Sequence, residues 1–418
     1  DNIILPQLLW KRLGCDPGSL ILFGRQPTLH KHSLLASKPI ENSDPDDHTI
    51  HLPSLLTSAF NADFDGDTMW VIKPEQTSEV KAELLQMLPS TQLRSPTTGK
   101  FSFPFSQDFV LGLSFLSCYE PFNEDLPLDK WVEKAWNSFI YNHDKNPSFP
   151  EVLLTKSAIS KKYDNSFINN EEIKKILAEI KNKSAAAITL AGISVSLDDF
   201  ILDEQLSASF KEAYDVIETK MEEKCKQSWN SAALMLLSGA RGNAAQLAQI
   251  CLRRGPMIKL SSTEELDSTE DLSGSLISGM TVDQYFQSCY GQRVGLVSTA
   301  LKTGACGHMT RKMVFAAQHK GTGGILAAQA VGERLTQQTL SAFHSGGVLL
   351  NKKDTEKFKA VQRIFNWPIT KSKDGKKEQN GWTKEKFLKE LTDLLGTDLL
   401  EEHINLLWEV IYDSRDKK

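Results

Sequence analysis

The sequence predicts an α+β protein in which a strand-rich first part precedes a mainly helical remainder. Residues 1–115 run as short apolar stretches broken by turn residues, such as SLILFGRQPT, HTIHLPSLL and TMWVIKP, a pattern of strands with irregular connections. From about residue 120 the period changes. In EEIKKILAEIKNK (171–183) and ASFKEAYDVIETKMEEKCKQSW (208–229), apolar residues recur three and four apart with charges between them, as amphipathic helices require. The 418-residue length allows two or three domains with real cores.

The remaining segments follow in order. EELDSTED (264–271) is flanked by Ser and Thr and is expected to be a solvated loop. Residues 283–319 read as helix despite their glycines. A Lys-rich run, NKKDTEKFK, follows Gly347, and a polar linker, KSKDGKKEQNG (371–381), leads to two amphipathic stretches, KEKFLKELTDLLG and LLEEHINLLWEVIY. No internal repeat of 20–50 residues is present in the sequence.

Composition excludes several classes. Hydrophobic content of 40% and charged content of 24% are those of an ordinary globular protein. No stretch approaches the roughly 18 uninterrupted apolar residues of a membrane span. The opening DNIILPQLLWKR lacks the basic-then-apolar order of a secretory signal. The six cysteines, at 15, 118, 225, 251, 289 and 306, form no CxxC pair. They are expected to be unreactive thiols in a reducing, cytoplasmic setting, with neither a thiolate zinc site nor a disulfide framework.

The net charge of −5 does not mark a nucleic-acid binder, but the distribution of charge does. Between Asp283 and Glu333 there is no acidic residue, while Arg293, Lys302, Arg311, Lys312 and Lys320 stand there with His308 and His319. At the average composition, roughly six carboxylates belong in such a window. A second acid-free run, between Glu223 and Glu264, holds Arg241, Arg253 and Arg254. Both point to surfaces that face phosphates, since several Lys and Arg are costly to bury.

The sharpest local feature is Asn61-Ala62-Asp63-Phe64-Asp65-Gly66-Asp67. In extended backbone alternate side chains share a face, so Asp63, Asp65 and Asp67 are expected to converge while Phe64 anchors the opposite face. Gly66 lets the chain bend. Three oxygen donors suit a hard dication, Mg2+ where substrate phosphates complete the octahedron. A calcium loop would need Gly at its sixth position and Glu at its twelfth. Here Gly is fourth and the twelfth is Pro74. On spacing alone an acidic surface turn remains the alternative.

NADFDGD resembles the signature of the largest catalytic subunit of multisubunit DNA-dependent RNA polymerases, beta-prime in bacteria, and further motifs follow in the family's order. Gly24-Arg25-Gln26-Pro27-Thr28-Leu29-His30 is similar to NRAPTLH, and Ser106-Gln107-Asp108 with VLGL to SQDxVLGL. Ala191-Gly192-Ile193-Ser194 with Asp198-Asp199 is similar to AGISxxxDD, and Ser238–Gly242 to the SGARG loop. GQRVGLVSTALKT (291–303) resembles the bridge helix, AAQAVGERLTQQTLSAFHSGG (327–347) the trigger loop, and VQRIF (361–365) its returning helix.

The resemblance implies a double-psi β-barrel that carries the Asp loop, followed by a mainly helical part with bridge helix and trigger loop. It divides the chain into a barrel and active-site domain (1–118), a helical channel or rim region (119–230), the SGARG loop and connector (231–282), bridge helix (283–320), trigger loop (321–366) and helical tail (367–418). It implies DNA-templated RNA synthesis by two-metal catalysis, with Asp63, Asp65 and Asp67 holding one Mg2+ and the nucleoside triphosphate bringing the second. It further implies sugar contacts from Arg25 and Asn61, substrate contacts from Gln107 and Leu340, and His344 near the triphosphate as a positioned charge or general acid. The resemblance also implies that Arg293, Thr303, Gly304 and Arg311 occupy nucleic-acid-facing positions of the bridge helix. That helix, taken from about Gly291 to Gln318, would be roughly 42 Å long. Gly304 and Gly307 in its interior suit a bend, the close passage of another backbone, or tight packing on a neighbouring helix.

Implied partners are a beta-like subunit, the remaining beta-prime segments, a specificity factor, DNA template, RNA product and nucleoside triphosphates, with no membrane. Departures from the bacterial pattern are Ser341 in place of an Arg, Ala342 in place of a Thr, and Arg334-Leu335 in place of Pro-Gly. Only about ten residues, with no cysteine, separate a bridge helix that ends near Gln318 from the trigger-loop-like stretch at 327, so the bacterial zinc module is not expected. The family's N-terminal clamp and long C-terminal part are not in the sequence. The polypeptide is therefore expected to be either split or a fragment of a longer chain, and this economy points to a large-bacteriophage or other virus-type enzyme, located in the host cytoplasm or the virion. The rival readings are a single-chain two-barrel polymerase, for which no second barrel is found, and a catalytically degenerate scaffold that binds nucleic acid.

Overall fold

The computed structural model describes residues 1–95, 98–142, 147–150, 152–166, 173–202, 209–258, 269–341, 389, 391–392 and 401–413. The chain divides into two compact units. One comprises residues 1–103, 301–340 and 351–418, the other residues 104–300 and 341–350.

The first unit contains a four-stranded sheet of β1 (Asn2–Leu5), β2 (Ile21–Gly24), β3 (Leu34–Glu41) and β4 (Trp70–Ile72). Its order is β1-β3-β2-β4, with β1 parallel to β3 and β2 antiparallel to both β3 and β4. Ile3, Leu5, Ile21, Phe23 and Leu35 are almost fully buried, the period-2 burial that makes these segments strands. Phe23 meets Phe60 with ring centroids 5.2 Å apart, so the residue next to Asn61 is fixed to the sheet.

A helical layer completes this unit. Cys306, Met309, Met313 and Ala317 line one stripe of the helix Val282–Ala317, and Ala327, Ala330, Val331 and Leu335 line one of the helix Gly321–Ser341. Both stripes close against Ile404, Leu407 and Val410 of the helix Glu401–Asp413. Leu335, one of the departures from the bacterial pattern, is therefore a core residue, 2% exposed.

The second unit is built from helices. Phe210, Ala213, Ile217, Met221 and Cys225 are the buried stripe of Phe210–Gln227, and Ser209 caps that helix by accepting the Glu212 N–H at 3.4 Å. Asn230 caps Ser231–Leu237, and an Asn243/Gln246 capping box opens Ala244–Cys251. Asp108–Leu116 crosses Ile173–Ala191 at Gly112, where an added Cβ would lie 2.1 Å from the Ser184 carbonyl oxygen.

Several expectations change. The first 115 residues are not purely strand-forming, because Gln7–Leu13, Ser78–Gln86 and Asp108–Leu116 are helices. Asp108–Leu116 is buried over seven of its nine residues, and so short and continuous an apolar run carries no period to read. The acidic stretch is partly a strand: β6 (Thr269–Leu272) pairs antiparallel with β5 (Gly255–Ile258). Arg254 is not a phosphate-facing cation. It is buried, donates from Nε to Ser288 Oγ at 3.0 Å and also bonds Gln249, while Arg253 pairs with Asp271 at 3.2 Å. The expected helix over 283–319 is present as Val282–Ala317 with a further turn at Gln318–Lys320. It is unbroken at Gly304 and Gly307, each of which faces open space among the described residues, so neither serves tight packing within them. No helix among the described residues is long and apolar enough to cross a membrane.

Candidate metal centre

The helix Thr57–Phe60 ends at Asn61 in the left-handed conformation (φ 45°, ψ 44°), which Asn tolerates better than most residues. The Ala62 N–H returns to the Thr57 carbonyl at 3.0 Å. From Ala62 to Met69 there is no regular structure, with bends at 64–66, and Gly66 adopts φ 116°. This path brings carboxylate oxygens of Asp63, Asp65 and Asp67 within 4.8 Å of one another, the single such cluster among the described residues.

The convergence expected from the spacing is present, but the cause differs. The segment is bent rather than extended, and Phe64 is 77% exposed and anchors nothing among the described residues. The left-handed Asn61 and the positive φ of Gly66 gather the carboxylates in place of strand alternation.

Arg25 directly follows β2 and reaches the loop from the sheet. Its Nε donates to Asp67 Oδ2 at 2.8 Å, and its Nη1 donates to the carbonyls of Phe60 and Asn61 at 3.2 and 2.9 Å. The Asp63 N–H donates to the same Asp67 Oδ2 at 3.2 Å. That backbone bond, with the Arg25 guanidinium, holds Asp67 below the usual carboxylate range. Asp63 moves the other way: a hydrogen bond with the Asp65 carboxyl, partial desolvation and repulsion from Asp65 and Asp67 raise it. Crowded oxygens with one member pushed toward protonation are a donor set that a hard dication fits and relieves.

The other expected site residues are dispersed. Asn61 is exposed beside the cluster. Thr303 is half-buried and Arg311 exposed, its guanidinium carbon 5.5 Å above the Phe315 ring. Gln107, exposed and at φ 47°, precedes Asp108–Leu116 in the second unit, where Arg293 is also an exposed residue. Leu340 and Ser341 end the backbone of Gly321–Ser341, and their side chains, with all of Ala342 and His344, lie outside the described residues.

One contact was not foreseen. His30 of the GRQPTLH motif lies 3.6 Å from Glu333 in Gly321–Ser341, a pairing across 303 positions that no local pattern announces. Burial lowers the His30 pKa, and Glu333 opposes the shift. The neighbouring His32 is buried against Phe103, and desolvation brings it down to about 4 from an ordinary 6.5 despite a bond to Gln92. Because the folded state disfavours the protonated ring, His32 contributes stability above pH 6.5 and loses it as pH falls from 6.5 to 4, on the order of 3 kcal/mol. The thermal midpoint is expected to fall less between pH 7 and 4.5 in His32→Phe than in the wild type, and an equal fall rules out this origin.

Three stretches of the chain match domains of RNA polymerase Rpb1. Residues 13–89 match domain 2, residues 196–271 domain 4 and residues 279–320 domain 5. The chain is also similar to proteins named DNA-directed RNA polymerase subunit beta'. That of Aliarcobacter butzleri is 30% identical over 369 residues, covering 72% of this chain and 24% of that protein. That of Aquifex pyrophilus is 29% identical over 375 residues, 71% of this chain and 23% of that protein, and that of Campylobacter jejuni 28% over 371 residues, 72% and 24%. The chain thus spans about a quarter of the length of the curated relatives it matches.

Proposed function

We propose that this chain is the catalytic beta-prime-like part of a multisubunit DNA-directed RNA polymerase and joins nucleoside triphosphates to an RNA 3′-end on a DNA template. The observation that carries the proposal is the convergence of Asp63, Asp65 and Asp67 within 4.8 Å, inside the stretch that matches Rpb1 domain 2.

In this reading the three aspartates hold Mg2+, and a second Mg2+ arrives with the nucleotide. When bound, the two cations neutralise charge on the attacking and leaving oxygens. The chain's own residues do the rest. Arg25 and Asn61, adjacent through the Arg25 Nη1 bond to the Asn61 carbonyl at 2.9 Å, present a guanidinium and an amide to the sugar hydroxyls, whose 2′-OH separates RNA from DNA precursors. Gln107 and Leu340 contact the substrate, and His344 approaches the triphosphate. The helix Val282–Ala317 is the bridge helix and offers Arg293, Thr303, Gly304 and Arg311 to nucleic acid; the sheet β1–β4 belongs to a double-psi barrel. A beta-like subunit, further beta-prime segments and a specificity factor complete the enzyme, in the cytoplasm.

The test is RNA extension on a primed DNA template by the native complex isolated through this chain. Mg2+-dependent extension supports the proposal; an assembled complex that binds template without extending RNA identifies a scaffold. A second expectation concerns Ser341, where bacterial relatives carry an Arg that reaches phosphate. Ser341→Arg is expected to raise the elongation rate several-fold, and no change or a loss in stopped-flow extension counts against that role for the position.

A further inference from the structure

We infer that Arg25 is a positioning residue for the cation site: it commits Asp67 Oδ2 to protein donors and leaves Oδ1 for the dication. This role presupposes the cation reading of Asp63, Asp65 and Asp67 and is separate from any contact with sugar.

Asp67 Oδ2 receives two N–H groups, Arg25 Nε at 2.8 Å and the Asp63 backbone at 3.2 Å. Two donors occupy the two lone pairs of one carboxylate oxygen, so Oδ1 is the Asp67 oxygen that would be left to hold a cation. The guanidinium is rigid and planar, and its Nη1 is simultaneously engaged with the carbonyls of Phe60 and Asn61. Arg25 therefore ties the start of the Asp loop to its end, and it does so from the end of β2, an inner strand of the sheet that carries the buried Phe23.

A cationic side chain beside a cation site has two opposed effects. Its charge repels the dication, whereas its hydrogen bonds hold a ligand that the repulsion among three carboxylates would otherwise scatter. The Arg25 and Asp67 side chains are each only 20% exposed, so salt screens the repulsion only in part, but three carboxylates against one guanidinium leave the site net negative. The geometric constraint is not screened. Positioning wins, and loss of Arg25 weakens metal binding even though it removes a positive charge.

Mn2+ binding to the native complex, followed without nucleotide by the electron paramagnetic resonance of free Mn2+, tests this. Asp65→Ala defines the signal that belongs to this site. Arg25→Gln and Arg25→Lys are both expected to raise the Mn2+ Kd about tenfold, the usual scale for partners that orient a metal ligand. Lys keeps the charge but cannot make the three bonds, so it does not rescue. Hydrogen exchange is expected to accelerate at the Asp63 amide and to stay unchanged in β2 and β3, which separates loss of positioning from loss of fold. Unchanged or tighter Mn2+ binding in the Arg25 variants, with Asp65→Ala still abolishing the signal, overturns the role of Arg25 alone. A wild type whose Mn2+ binding equals that of Asp65→Ala overturns the cation reading, and Arg25's role falls with it.

Discussion

Replacing Asp65 with alanine is expected to lower RNA extension by at least a thousandfold while leaving the complex assembled. A factor of about a thousand is about 4 kcal/mol of barrier, within the several kcal/mol of transition-state charge stabilisation that a catalytic metal supplies. The structural cost of the change is small by comparison. Asp65 is exposed in a loop without regular structure, where substitutions usually change stability by about half a kcal/mol or less. Its removal also relieves the hydrogen-bonded crowding that raises Asp63. The variant should be folded, assembled and inert, a combination that damage to the fold cannot imitate. Primed-template extension beside size-exclusion chromatography of the complex reads both halves. Wild-type extension by the variant would locate catalysis outside this chain.

The largest effect on stability is expected at Gly112→Ala. In an open helix this change would stabilise by about 1 kcal/mol, since Ala is the better helix former. Here the new methyl would lie 2.1 Å from the Ser184 carbonyl oxygen and 2.6 Å from its carbonyl carbon. These atoms belong to the backbone of Ile173–Ala191, so no side-chain rotation removes the clash and the two helices must separate. Overpacking of this kind costs typically 1–3 kcal/mol and sometimes more, which outweighs the propensity gain. For a unit of roughly 200 residues, a net loss of about 2 kcal/mol lowers the melting temperature by about 4–8 °C. A calorimetric scan that shows no decrease would mean that the crossing can open at little cost.

The legible parts of this molecule are those in which neighbouring residues cooperate. The Asp cluster was readable because its donors lie within five consecutive positions and Gly66 marks the bend. How it closes was not readable, since alternation and bending leave the same letters in the sequence, and the exposed Phe64 resembles an anchor until its surroundings are known. The helix Val282–Ala317 was readable from composition. Its start could have been placed more sharply from Thr281 and Gln284, which exchange side-chain to backbone hydrogen bonds of 3.3 Å, a capping box written as T-x-x-Q. Contacts between distant positions left no such trace. Arg25 meets Asp67, Arg254 meets Ser288 and His30 meets Glu333 only after the chain has folded. Leu335 shows the same limit: as a letter it is a departure from a motif, and as a side chain it fills a core.

That core has a consequence for synthesis. Residues 404–410 cover the apolar stripes at 306–317 and 327–335, yet they leave the ribosome roughly seventy residues later. At about 5–20 residues per second, the seam of Met309, Met313, Val331 and Leu335 waits on the nascent chain for residues 404–410 for roughly 4–14 s. During that interval the segment is a natural client for chaperones, and slowing translation between codons 341 and 401 should lengthen that dependence.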